Sequence, residues 1–396
     1  MRVLFLTHAY PRFSGDVAGG FLHLLALGLV KRGHDVRVIA PSESGKGGVD
    51  VQDGIRVTRV RYAAPQSESL AYKGTMAGAM KSIAGIATVG AFVAAHAWET
   101  WDQPADIVHA HWWVPGGISA GLARLAGGTP YVVTLHGTDV ALLKQSLGAR
   151  QVARLVLRGA RAVTTASSYL AEKAARVAGL DPESITVRPM PTAVASVQQE
   201  SQGGAGVVTV GRLTTQKRID LLIDAMAVLR SRGITTPLTI VGDGPERAAL
   251  ERRAADHGLS NTSFVGAVPP GKIPAVIGNA DVFAFPAVDE GLGLAAAEAL
   301  MLGVPVVACR SGGVPDIVPD GGAGRLVPPG HLDSFVAAMH DLLKDKDARR
   351  HARDVGRILR IQLSPDSVAA VMEHVYFNAL GISHHPTSQA SPTSHA

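Results

Sequence analysis

The chain opens on a short apolar run, residues 3–7, followed by a Pro/Gly-rich loop over 11–20. Leu24, Leu25, Gly28 and Leu29 then recur at helical spacing within residues 21–32, and Gly33 stands where helices commonly end in a left-handed residue. Residues 36–40 are apolar again. Strand, helix and strand in that order predict a βαβ unit, the building block of parallel sheets. The pattern predicts further strands at 107–110, 131–134, 162–165 and 185–188, with helices between them. It reads 66–101 as mostly helical.

Residues 189–206 interrupt this alternation with prolines, glycines and the polar run 198–202, the composition of a linker. Beyond it, strands are expected at 207–210, 238–241, 263–265, 282–285 and 304–308. Helices are expected at 221–230, 247–257 and 294–301, and two more, 332–343 and 366–380, finish the fold. The Ser/His/Pro-rich tail from 383 to 396 is expected to be disordered. The prediction is thus α/β: two doubly wound, Rossmann-like domains, 1–188 and 207–365, joined by the linker. Ligands of such sheets bind beyond the carboxyl ends of the strands, so the natural site is the cleft between the domains.

Composition narrows the class. At about 150 residues per domain, 396 residues fit two domains. With 46% hydrophobic and 18% charged residues the chain is neither disordered nor fibrous. Cys309 is the one cysteine, which excludes a disulfide framework and a cysteine zinc site and points to a reducing, cytoplasmic compartment. A net charge of +5 suits an anionic ligand or peripheral contact with a membrane. Aromatic residues are 5% and are not interleaved with Lys/Arg, which argues against nucleic acid. The first apolar run is too short for a signal peptide, and the stretch 83–98 falls short of the roughly 20 residues that span a bilayer.

The residues that carry chemistry cluster in the second half. Residues 289–316 read DEGLGLAAAEALMLGVPVVACRSGGVPD. Glu290 sits in a glycine loop after a strand, and Gly291 and Gly293 let backbone N–H groups approach a ligand. A helix starting at Leu294 presents an anion-binding N-terminus. Glu298, one turn in, suits a pair of sugar hydroxyls. Gly211, Arg212 and Lys217 follow another strand, and two cations there would neutralise a diphosphate.

These motifs resemble the retaining glycosyltransferases of family 4, which have the GT-B fold. The resemblance rests on the E-x7-E pair Glu290 and Glu298, the G-x-P-V-V run at 303–307, G-G-x-P-D at 312–316, the pair Arg212 and Lys217, and IVGDGPE at 240–246. In the first half it rests on residues 19–41 and on TLHGTD at 134–139, so it covers nearly the whole chain. Two positions depart from the family pattern: Leu292 stands where Phe is more frequent, and Ala287 where Ser is usual.

The resemblance implies transfer of a sugar from a nucleotide-diphosphate donor, UDP- favoured and GDP- second, to an acceptor hydroxyl, without a metal or other cofactor. Arg212 and Lys217 would hold the diphosphate, Glu298 the ribose and Glu290 the donor sugar, with help from the amides of Gly291, Leu292, Gly293 and Leu294. Gly19 and Gly20 would bring the first domain's loop to the phosphate, and His136 would sit beside the sugar. Gly211, Gly242 and Val265 complete the donor side. The first domain would bind the acceptor, a glycan, lipid-linked or small-molecule hydroxyl, and the last helix, 366–381, would cross back onto that domain.

His111, Asp139, Arg150 and Arg154 are the acceptor-side candidates, although Asp139 also fits a helix cap. His109 and His111 share a strand face at metal-ligand spacing, yet no third ligand is evident. GDGP at 242–245 lacks the third glycine of a dinucleotide fingerprint. Three rivals remain open at this stage: a non-hydrolysing nucleotide-sugar epimerase, a phosphorylase and a non-catalytic nucleotide-sugar-binding subunit.

Overall fold

Near-continuous apolar strands bury both faces of a sheet, and that is how this chain builds its two layers. The computed structural model describes residues 1–13, 15–16, 18–68, 70–72, 82–143, 147–197 and 203–382. The polar run 198–202 and the tail from 383 lie outside the described residues.

The first sheet contains β1 (Arg2–Leu6), β2 (Asp35–Pro41), β3 (Gly48–Gln52), β4 (Ile55–Val60), β5 (Ile107–His111), β6 (Tyr131–Leu135), β7 (Ala162–Thr165) and β8 (Thr186–Val187). Its order is β3-β4-β2-β1-β5-β6-β7-β8, parallel except for the β3–β4 hairpin. The second sheet contains β9 (Val207–Val210), β10 (Leu238–Val241), β11 (Thr262–Gly266), β12 (Val282–Phe285), β13 (Val306–Cys309) and β14 (Gly324–Val327). Its order is β11-β10-β9-β12-β13-β14, all parallel. In each sheet the strand order reverses beside the first strand, between β1 and β5 and between β9 and β12. Loops leaving the carboxyl ends diverge there and open a crevice.

The last helix, Pro365–Leu380, packs on helix Gly20–Lys31 of the first layer. Arg32 Nη2 bonds Glu373 Oε2 at 2.7 Å, and His34 Nε2 lies 2.8 Å from Oε1 of the same carboxylate. Burial raises the Glu373 carboxyl, but Arg32 and His34 outweigh it and hold the group below its ordinary range. Tyr376 reaches the first sheet, its hydroxyl 2.6 Å from His109 Nδ1.

Besides strand β14 and the short helix Ile273–Gly278, which the pattern did not mark, three features differ from the sequence expectation. The β3–β4 hairpin was not foreseen, although Asp53 and Gly54 (φ 48° and 82°) form the Asp-Gly turn that favours one. Residues 66–101 are not one helix: Pro65–Ser67 is a short 3-10 turn, the helix runs over Ile83–Asp102, and 73–81 lie outside the described residues. A third closing helix, Ala348–Gln362, stands between the two expected ones. Its buried stripe is Ala348, Ala352, Gly356 and Leu359, small residues that give little hydrophobic signal among so many arginines.

Candidate functional site

The loops after β5, β6, β9, β12 and β13 meet where the two layers face each other. A cavity of about 270 Å³ lies between them, bounded by Phe21, Trp112, His136 and Met190 on one side and by Glu290 to Leu294 on the other. The layers touch at its rim. Ser167 Oγ donates to Gly291 O at 2.6 Å, Ser168 N to Asp316 Oδ2 at 2.6 Å and Tyr169 OH to Asp289 Oδ1 at 2.7 Å. Gly137 (φ 110°) approaches so closely that a Cβ there would stand 3.1 Å from Gly291 Cα. A side chain at either glycine would wedge the rim apart.

The second-domain wall is charged. Lys217 Nζ bonds Glu290 Oε2 at 2.5 Å, both side chains about one-fifth exposed, and the ammonium lies 5.2 Å from the centre of the Phe285 ring. Arg212 is exposed and has no acidic partner among the described residues. Gly211 and Gly242 hold the strand ends together, for a Cβ on Gly242 (φ 133°) would fall 1.9 Å from Gly211 O. Helix Leu294–Met301 starts from left-handed Gly293 (φ 95°) and has no side-chain cap, so its first amides face the cavity wall without a protein acceptor from the cap residue. Glu298 accepts from Thr192 Oγ1 at 2.6 Å. Burial raises its carboxyl above the ordinary value against that hydrogen bond. Val265 is exposed on edge strand β11, beside Phe264, whose carbonyl accepts from Arg247.

The first-domain wall is aromatic and neutral. His136 lies 4.4 Å from Trp112 and 5.2 Å from Phe21, ring centre to ring centre. Its Nε2 is 3.2 Å from Nδ1 of His111, while His111 Nε2 is buried without a partner. Burial, with help from nearby histidines, holds both imidazoles well below their ordinary value. Trp112 has a left-handed backbone (φ 66°), rare for a large residue, and its Nε1 donates to Thr138 Oγ1. Gly19 and Gly20 open helix Gly20–Lys31 and so deliver Phe21 to the cavity.

None of the four acceptor-side candidates, His111, Asp139, Arg150 and Arg154, lines this cavity. Asp139 is 2% exposed and turns inward: Oδ1 accepts from the amides of His136 and Gly137 and Oδ2 from Trp113. Burial pushes its carboxyl up to about 6 against those amides. It therefore fixes the two loops that carry His136 and Trp112, with no surface for an acceptor. His111 is also fully buried, behind His136. Arg150 and Arg154 do not line the cavity. They border a separate groove with Arg176 and Lys173.

His109 has both ring nitrogens occupied, by Tyr376 and by Thr134, each at 2.6 Å. Among the described residues no cluster of three or more His, Cys, Asp or Glu is arranged to hold a metal ion. The residues that sequence reasoning missed are Phe21, Trp112, Thr138 and Met190. Only Trp112, an aromatic directly after a strand end, left a trace to follow.

Comparison with known proteins agrees with this geometry. Residues 19–191 match the family model of a glycosyl transferase 4-like domain, and residues 196–358 that of glycosyl transferases group 1. The chain is 33% identical to a GDP-mannose-dependent alpha-(1-6)-phosphatidylinositol monomannoside mannosyltransferase of Mycolicibacterium smegmatis, over 87% of this chain and 89% of that one. It is 28% identical to a glycogen synthase of Mycobacterium tuberculosis, over 96% and 95%. Among solved structures it shares its fold with sucrose-phosphate synthase from Thermosynechococcus elongatus (TM-score 0.73, 20% identity, 96% of this chain and 99% of that chain). Anabaena HepE in complex with UDP and glucose is similar too (TM-score 0.71, 19% identity, 95% and 99%).

Proposed function

The chain belongs to the family-4 type of GT-B glycosyltransferases, and from that premise we propose that it transfers a hexosyl residue, with retention and without a metal, from a nucleotide-diphosphate sugar to an acceptor hydroxyl. The observation that carries this reading is the charged wall: Arg212 without an acidic partner, Lys217, and an uncapped helix start on the loop that bears Glu290.

The chemistry follows from what those groups do. The bond from the anomeric carbon to the diphosphate oxygen breaks, and negative charge grows on the leaving group. Arg212, Lys217 and the amides at the helix start stabilise that charge. Lys217 is held by Glu290 before the donor arrives; on binding it turns to phosphate and frees Glu290 for the sugar hydroxyls. The acceptor oxygen attacks from the face the diphosphate leaves, and its proton passes to a diphosphate oxygen. No protein nucleophile is needed. Glu298 accepts from the ribose hydroxyls in place of Thr192. His136, neutral at physiological pH, offers a hydrogen bond to the sugar and no charge. The contacts from Ser167, Ser168 and Tyr169 to the second domain keep the cleft shut and exclude water.

The mycobacterial relative's name puts GDP-mannose first among donors to test and UDP-sugars, favoured by the sequence reading, second. A lipid-linked or glycan hydroxyl is the acceptor class. An epimerase would need acid/base carboxylates on both sides of the sugar, and the first wall's Asp139 is committed to backbone amides.

The test is to incubate the protein with GDP-mannose, UDP-glucose and ADP-glucose in EDTA and to follow the anomeric proton by NMR. Transfer or slow donor hydrolysis with retained configuration supports the reading. Inversion, or C2 epimerisation of the intact donor, would refute it.

A further inference from the structure

Helix Ile83–Asp102 ends on two tryptophans that the core does not use. Trp98 is 65% and Trp101 50% exposed. They are three residues apart and so on one face, their ring centres 5.5 Å from each other. The helix turns Phe92 and His96 inward and packs on β1, β2 and β4. Between its last two turns and the β3–β4 hairpin lies a groove of about 700 Å³.

Strand alternation sets the floor of that groove. Val49 of β3 pairs with Thr58 of β4, and Val51 with Arg56, while Arg37 of β2 stands in register with Arg56. These side chains therefore share one face of the sheet. It is the face under the helix, because Gln103 Nε2 donates to Thr58 Oγ1 at 3.2 Å. Arg37 bonds Asp35 at 2.8 Å, but Arg56 has no acidic partner among the described residues. On the helix side Glu99 and Asp102 line the groove, and neither forms an ion pair among the described residues. Donors and acceptors thus stand unpaired on the two sides of one groove, beside an aromatic platform.

That mixture decides what fits. A nucleic acid would bring phosphates against Glu99 and Asp102. A bilayer, being flat, would leave the groove empty and carry two carboxylates toward lipid. A sugar ring offers C–H faces that lie against the negative face of an indole, and a rim of hydroxyls that both donate and accept. Guanidinium, carboxylate and amide groups along one groove match that rim. The volume falls within the roughly 300–1,000 Å³ of sites that hold a drug-sized ligand, room for a short oligosaccharide. None of the groove's residues lines the cavity of the cleft.

We propose that the groove between helix Ile83–Asp102 and the β3–β4 hairpin is a second binding site, separate from the cleft, for an uncharged glycan chain. The chain stacks on Trp98, Trp101 extends the platform, and Arg56, Glu99 and Asp102 take its hydroxyls. A chain tethered there raises the local concentration of its own end at the enzyme. The site needs no donor and does not depend on the transfer reading.

The test is affinity electrophoresis of the full chain through native gels containing mannan, soluble starch or dextran, without nucleotide. At least one of these polysaccharides should retard the wild type. Trp98→Ala with Trp101→Ala should weaken that binding about tenfold or more, and Arg56→Ala with Glu99→Ala about threefold. Arg212→Ala, in the cleft, should be retarded like the wild type. Melting curves show whether each variant folds; Arg56→Ala, altering one exposed and unpaired side chain, carries the test if the tryptophan pair does not. Free passage of the wild type through all three gels overturns the proposal. So do substituted chains that are retarded like the wild type, or retardation lost only in Arg212→Ala. So does a chain that ignores glycans but binds duplex DNA or vesicles, or forms dimers, through the two tryptophans.

Discussion

The two walls of the cleft are built on opposite principles. The second-domain wall presents charge: Arg212 exposed, Lys217 paired with Glu290, and a helix start without a side-chain cap. The first-domain wall presents shape: Phe21, Trp112 and His136 in ring contact, with Asp139 and His111 hidden behind them. Charge set out in water costs little stability and waits for an anion. A buried carboxyl tied to three amides is structural first. The lesson is that substitutions on the two walls should fail in different ways, one in turnover and the other in folding.

The largest effect should come from the charged wall. Arg212→Ala and Lys217→Ala should each lower kcat/KM about 100-fold or more, with little change in melting temperature. Steady-state kinetics beside calorimetric melting checks both halves. A melt shifted as far as the rate would break the contrast. Next comes Asp139→Ala, which leaves the amides of His136, Gly137 and Trp113 unpaired in a buried place. It should cost about 2–4 kcal/mol of stability, read by urea unfolding. The Asp139 carboxyl is raised to about 6, so its ionisation opposes folding. Its contribution is full below the ordinary carboxyl range and is lost as pH rises through about 6. Replacement by Asn should flatten that part of the stability profile.

A subtler difference concerns titration of the site itself. In the proposed site ribose hydroxyls would donate to ionised Glu298, whose carboxyl is raised by burial. Nucleotide affinity should therefore fall as pH drops, beginning above the range of an ordinary glutamate, and Glu298→Gln should bind more weakly with a flat profile. Calorimetry across pH reads this, and a wild-type affinity that ignores pH would remove the ribose role. The smallest effect should be that of His136. Its imidazole is held well below its ordinary value, so the rate profile should show no limb from a histidine near 6.5. Such a limb, absent in His136→Asn, would show that the residue titrates in the working enzyme.

The same contrast explains what the sequence made legible. The parallel α/β architecture was readable because apolar runs alternate with helical periods, and strands buried on both faces leave a plain signal. The β3–β4 hairpin escaped because Val49 and Val51 point to water on a short edge strand, so no core pattern marks them. Helix Ala348–Gln362 escaped because its inner stripe is made of small residues. At the site, glycines and charges after strands drew attention to the second wall, since such residues have few structural uses there. On the first wall the sequence marked His136 but not the neighbours Phe21, Trp112 and Met190. Phe21 read only as the start of a helix and Met190 as part of the linker 189–206, and only the fold brings them together at the cleft. Asp139 was ambiguous between cap and ligand, and burial decided against an exposed role.

The measurement that tests the account most directly is calorimetric titration of GDP and UDP, in EDTA, into the wild type and into Arg212→Ala with Lys217→Ala. The account predicts that one nucleotide binds the wild type without metal and that the double variant loses at least about tenfold in affinity while folding normally. Equal affinity in both proteins, or no binding of any nucleotide to the wild type, would contradict the charged wall as the donor site.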